Sequence, residues 1–335
     1  MMGSVVNPEG LPRVALVLAG GTIGTVGSSR IDLATYHETG QRESAADLLA
    51  RLPELASIAA VEAVEFRRGS SNALTVEDWI ELHELIESLL RRLDGVVLAH
   101  GTNTLEETAY FLDLSLADER PVVVVGAMRP LSALSSDAPL NIVRAVQVAV
   151  SPQAFGHGVL VAMNERIFLA RDVVKTSSQW LDAFRAPDAG PIGFVDTTGK
   201  VTIDRQRRRP GPHFDLESVR ELPRVDVVVS YVGADGALID AAVAAGARGI
   251  VSAGMGAGRP TPLEEEALAQ VARAGVVVCR SSRVGSGTVV PTPGTVAQGF
   301  VAARGLVPWK ARLLLLLALT RTSDSGEIQL LFDQA

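Results

Sequence analysis

Four short runs of aliphatic and β-branched residues constrain this chain most: Val14–Leu18, Val96–Ala99, Val122–Val125 and Val159–Ala162. Each is apolar on both alternating faces, so as a strand it must be covered from both sides. The segments between them are amphipathic. Trp79, Leu82, Ile86, Leu89, Leu90 and Leu93 recur at three- and four-residue steps and form one helical face. Thr75 followed by Asp78 supplies a start signal for that helix, a relative of the capping box. Leu105–Leu116 and Leu140–Val150 read as further helices. This alternation predicts a three-layer α/β domain, a larger N-terminal parallel-type sheet flanked by helices, with right-handed crossovers.

A length of 335 residues suits two domains at about 100–200 residues each. From Thr198 to Arg224 the pattern lapses into charge, Pro210 and Pro212, which reads as a linker over 198–224. The domains are then 11–197, larger and α/β, and 225–335, smaller and also α/β. In the second domain, strands are expected at Val225–Val229, Gly249–Ala253 and Val276–Cys279. Helices are expected at Ala237–Ala245, at Pro262–Ala274 and through Leu313–Leu319. The last is seven residues long between Arg312 and Arg321, far short of the ~18–20 of a membrane span, so it predicts a buried helix and no membrane partner. The first dozen residues hold Pro8, Glu9 and Pro12 without an apolar core, so no signal peptide is expected and the cytoplasm is the expected compartment.

A net charge of −7 argues against a nucleic-acid partner. The basic run Arg205–Arg209 goes against that balance and reads as solvated linker. The single cysteine, Cys279, excludes a disulfide framework and any zinc site built on several thiolates. It follows a valine run and is expected to be a buried strand-end thiol.

In an open parallel sheet, ligands bind beyond the carboxyl ends of the strands. After the first strand comes Gly20-Gly21-Thr22-Ile23-Gly24. Its glycines do not fit the G-x-G-x-x-G spacing, and Gly254-x-Gly256-x-Gly258 fails the same test at Arg259, so a nucleotide cofactor is not expected. Taken alone, Thr22 reads first as a helix-capping threonine and second as a hydroxyl held on a tight turn. Polar clusters also follow the next three strands. They are His100-Gly101-Thr102-Asn103-Thr104, then Gly126-Ala127-Met128-Arg129-Pro130 with Ser135–Asn141 behind it, then Arg171-Asp172-Val173-Val174-Lys175. None has metal-ligand spacing. Hydroxyls with a lysine suit a nucleophile activated by a general base. The histidines, His37, His83, His100, His157 and His213, form no triad pattern, and His100 reads as support for its turn.

These motifs resemble the two signatures of the bacterial-type asparaginase/glutaminase family, a Gly-Gly-Thr-Ile turn and a His-Gly-Thr-Asp-Thr turn roughly eighty residues on. Gly20–Ile23 and His100–Thr104 match them, the second with one substitution. The likeness continues through Gly126–Pro130, Arg171–Lys175, Gly233–Gly236, Gly249–Gly258 and Lys310–Arg312, nearly the whole chain. It implies a cofactor-free threonine amidohydrolase acting on a small amide, with Thr22 as nucleophile and an acyl-enzyme ester. It implies that Tyr36 is a lid tyrosine beside the nucleophile, and that Thr102 and Lys175 form a second hydroxyl–lysine pair. Ser70 and Ser71 fall where the family binds the substrate's α-carboxylate and α-ammonium, and Ala127 offers a carbonyl near the leaving amide. A neighbouring subunit's C-terminal domain would close the site, hence a homodimer or homotetramer.

The departures concern one function. Asn103 stands where the family has an aspartate that pairs with the lysine and meets the substrate ammonium. Ser71 replaces a longer glutamine, Arg259 an asparagine, and Gly285–Pro293 holds no acid. The pocket so described has fewer negative charges for an α-ammonium. This leaves open a half-amide without a free α-amino group, or a catalytically weak amino-acid-binding homologue.

Overall fold

The computed structural model describes residues 10–205, 211–217, 219 and 221–335; most of the Arg205–Arg209 run lies outside them. The chain divides into two compact units, residues 1–207 and 208–335.

The first unit is built on an eight-stranded sheet. In chain order its strands are β1 (Arg13–Leu18), β2 (Ala60–Glu65), β3 (Gly95–Ala99), β4 (Val122–Val125), β5 (Val159–Met163), β6 (Arg166–Leu169), β7 (Gly193–Val195) and β8 (Val201–Ile203). The spatial order is β8-β7-β6-β5-β4-β3-β1-β2. All four expected strands form, and β3, β4 and β5 are buried along their whole length. Strands β2 to β5 pair in parallel through β1, as double-sided burial requires. The remaining pairings are antiparallel. The switch has a local cause: β5 and β6 are joined by Asn164 and Glu165, with φ of 50° and 63°. Two successive left-handed residues make a tight hairpin, and a two-residue hairpin can only return antiparallel. Strand β8 lies inside the stretch read as linker.

Four helices pack on this sheet: α1 (Ala45–Ala50), α2 (Val76–Leu90), α3 (Leu105–Ser115) and α4 (Ala138–Ala149). Thr75 and Asp78 cap α2 reciprocally, and the six apolar residues of its expected face are all buried. Helix α4 begins two residues before its apolar pattern, because Asp137 and Pro139 are compatible with a first turn.

The second unit has a parallel four-stranded sheet: β9 (Val225–Val229), β10 (Gly249–Gly254), β11 (Val277–Ser282) and β12 (Val301–Ala302), adjacent in that order. Helices α5 (Ala237–Ala244), α6 (Pro262–Arg273), α7 (Pro308–Ala318) and α8 (Ser325–Gln334) complete it. Leu313–Leu317 in α7 are almost entirely buried, which explains a helix apolar on every side. Cys279 is buried in β11, and burial pushes its thiol well above the ordinary range, so it is an inert core residue. Among the described residues no helix is long and apolar enough to cross a membrane, and no group of acidic, histidine and cysteine side chains could hold a metal ion.

Candidate active site

The chain leaves β1 to form β2 on one side, then crosses to lay β3 on the other side of β1 and continues outward. The ends of β1 and β3 therefore flank the topological switch point, where a crevice opens in sheets of this kind. Gly20–Thr22 follows β1 and His100–Thr102 follows β3. The two turns are in backbone contact. Gly21 has a φ of 90°, and a Cβ on it would lie 2.2 Å from the Gly101 Cα. A Cβ on Gly101 would lie 2.6 Å from the Ser71 hydroxyl. Only glycine fits at both places, which brings the Thr22, Ser71 and Thr102 segments together.

A cavity of about 420 Å³ opens there. Thr22, Tyr36, Ser70, Ser71, Thr102, Asn103 and Lys175 all line it. Thr22 opens a one-turn 3-10 helix capped by Gly21 without any side-chain bond, so its hydroxyl is not a cap. It lies 3.0 Å from the Tyr36 hydroxyl instead. The Lys175 Nζ donates to the Thr102 Oγ1 at 2.8 Å. Lys175 sits in a two-residue strand, Val174–Lys175, opposite Phe184–Arg185. Burial pushes its ammonium below the ordinary lysine range, and the carboxylate of Glu106 pulls the other way. Glu106 is buried in the first turn of α3. The Ser71 hydroxyl is buried and makes no hydrogen bond among the described residues.

Two expected site residues are not on the lining of this cavity: Ala127, which follows β4, is fully buried, and Arg259 belongs to the second unit, where it is exposed and bridges to Met255. Much of the strand-end polarity builds turns. The Asp137 carboxylate accepts from the backbone N–H of Met128 and of Arg129, both at 2.9 Å, and Asn141 donates to the Gly126 carbonyl at 3.0 Å. Arg171 pairs with Asp172. His100 is structural in the same sense. Its Nδ1 bonds the Gly101 carbonyl at 2.7 Å, so Nδ1 carries the proton and Nε2 accepts from Thr108 at 3.0 Å. Trp79 donates in turn to Thr108 at 2.9 Å. Burial lowers the His100 pKa to about 4, leaving the ring neutral.

Three lining residues lie outside the motifs read from the sequence: Thr25, Arg42 and Ser178. Arg42 pairs with Thr25 across a short antiparallel ribbon, Thr25–Val26 with Gln41–Arg42. The Thr25 hydroxyl donates to the Gly21 carbonyl at 2.9 Å, which ties the ribbon to the Thr22 turn.

The geometry gathers two threonine hydroxyls, a phenol and a partly desolvated lysine in one cavity of the first unit. Residues 13–209 match the family described as "Asparaginase, N-terminal", and residues 224–332 match "Glutaminase/Asparaginase C-terminal domain". The chain is 39% identical to the "Probable L-asparaginase periplasmic" of Haemophilus influenzae, over 98% of this chain and 95% of that one. It is 37% identical to the "Glutaminase-asparaginase" of Pseudomonas fluorescens, over 96% and 90%. The solved structure of a "Probable Cytoplasmic L-asparaginase from Campylobacter jejuni" superposes with a TM-score of 0.91 at 37% identity, covering 97% of this chain and 100% of that one. The chain belongs to the asparaginase family.

Proposed function

We propose that this protein hydrolyses the side-chain amide of asparagine, or of a close analogue, to the acid and ammonia through an ester on Thr22. The observation that carries the reading is the pair of hydroxyl contacts in one cavity, Thr22 to Tyr36 and Thr102 to Lys175. The Thr22 Oγ attacks the amide carbon and gives up its proton. The C–N bond breaks, the nitrogen takes that proton and leaves as ammonia, and an acyl ester remains. Water then attacks the ester and surrenders a proton toward Thr102 and Lys175; the acyl C–O bond breaks, that proton passes to the Thr22 Oγ, and the acid leaves with the hydroxyl restored. A neutral lysine can accept a proton, and the burial of Lys175 favours that form. The Gly21 N–H is already taken by the Gly69 carbonyl at 3.0 Å. The first amide of the 3-10 turn, the Thr22 N–H, is the better oxyanion donor.

Ammonia release from asparagine by the native chain and by Thr22→Ala tests the reading. The substitution should abolish turnover and leave the circular dichroism spectrum unchanged, because it empties no core volume. Retention of more than a few per cent of activity rules Thr22 out as nucleophile.

We also place the protein in the cytoplasm, as a symmetric homodimer or dimer of dimers. The Campylobacter jejuni protein, named as cytoplasmic, supports the compartment, whereas the Haemophilus influenzae relative is named as periplasmic. Exposed Val229, Tyr231, Val232 and Leu238 beside the edge strand β9 suit a self-complementary contact. Cell fractionation decides the first, and sedimentation showing an active monomer overturns the second.

A further inference from the structure

The part of the cavity that the first unit supplies is basic and not acidic. Among the described residues no aspartate or glutamate lines it. Asn103 presents a neutral amide, and the carboxylate facing Lys175, that of Glu106, is buried in α3 and is not part of the lining. The lining carries a guanidinium, that of Arg42, and the amine of Lys175, which is engaged with Thr102. His37, the remaining basic group there, faces Glu38 at 3.4 Å.

We propose that Arg42 is an anion clamp, and that the pocket takes short ω-monoamides of dicarboxylic acids, anionic at the far end and without an α-ammonium. The proposal rests on reading Thr22 as the group that attacks the amide. Three observations place the clamp. The ribbon that carries Arg42 is hydrogen-bonded to the Thr22 turn through Thr25. The Arg42 Nη1 donates to the Arg68 carbonyl at 2.8 Å, which anchors the guanidinium just before Gly69-Ser70-Ser71. Ser70 and Ser71 line the same cavity, and the buried Ser71 hydroxyl makes no hydrogen bond among the described residues. A guanidinium has five N–H donors in a fork that matches a carboxylate, and adjacent hydroxyls complete such a seat. An ammonium placed there would meet a cation and an amide, with no carboxylate to offset its desolvation.

The test compares kcat/KM for ammonia release from succinamic acid, asparagine and neutral butyramide, in the native chain and in Arg42→Gln. The native chain should favour succinamic acid over asparagine roughly tenfold or more, as expected for one hydrogen bond to a charged group. In Arg42→Gln the preference for succinamic acid over butyramide should fall roughly ten- to a hundredfold, mainly through KM, and Arg42→Lys should recover part of it. If asparagine is preferred and Arg42→Gln leaves the succinamic acid to butyramide ratio unchanged, the clamp is overturned while the Thr22 reading stands. If the folded native chain releases ammonia from none of the three, the Thr22 reading itself fails and takes this proposal with it.

Discussion

Thr22 and Thr102 sit on glycine-bearing turns at the ends of adjacent parallel strands, yet their neighbours differ in kind. Thr22 meets a phenol, that of Tyr36, at 3.0 Å, carried on a one-turn helix, Tyr36–Thr39, that is largely exposed. Thr102 is buried and meets the amine of Lys175 at 2.8 Å, with a buried glutamate within electrostatic reach of that amine. A neutral phenol is a poor proton acceptor, whereas a desolvated lysine can be brought toward neutrality. The contrast separates two requirements of amide hydrolysis. On the function proposed above, access for the substrate falls to the Thr22 side, and proton-accepting capacity to the Thr102 side.

Removing the base should break the contrast most severely. Lys175→Met is expected to cost roughly 10²–10⁴ in kcat, the usual worth of a positioned general base. Steady-state ammonia release measures it, and a loss smaller than about tenfold would mean that Lys175 moves no proton in the slow step. Tyr36→Phe probes the other side. The phenyl ring keeps its packing and loses one hydrogen bond to Thr22, so kcat should fall about tenfold. If it falls further than in Lys175→Met, the assignment of roles to the two sides is reversed.

The contrast was only half visible in the sequence. Apolar strands leave a clear trace, so β1, β3, β4 and β5 were legible from residue types alone. Strand β2 was not, because Ala60–Glu65 carries two glutamates and is only partly buried at the sheet edge. Strand β8 was hidden for a related reason. Val201–Ile203 is three residues long and pairs antiparallel, so it needs no crossover and resembles linker. The glycine-turn threonines were legible because close backbone approach excludes every other residue at Gly21 and Gly101. Glu106 was not, since a glutamate in the first turn of a helix is ordinary there, and only the sheet brings it near Lys175. Arg42 was missed because its place depends on a pairing of two-residue strands, below the reach of any periodicity. In both cases a charged side chain gains its meaning from a partner far along the chain.

The smallest expected effect is the sharpest test of the Thr102 side, because its sign is fixed. If neutral Lys175 is the base, activity rises with pH as the lysine loses its proton, and the midpoint of that limb follows the Lys175 pKa. Burial lowers that value and Glu106 opposes the shift. Glu106→Gln removes the opposing charge at nearly constant volume, so the rising limb should move to lower pH by roughly one unit. Asn103→Asp adds a carboxylate to the neighbouring turn and should move the same limb to higher pH by a similar or smaller amount. Position 103 is exposed, so this second variant should fold whatever becomes of the first. The profiles of kcat/KM for asparagine and for succinamic acid should shift together, because the limb belongs to the enzyme and not to the substrate. Limbs that stay in place in both variants, or that move in the same direction, would mean that the group titrating in the rate is not Lys175. The proton-accepting role would then pass from the buried side of the cavity to the exposed one.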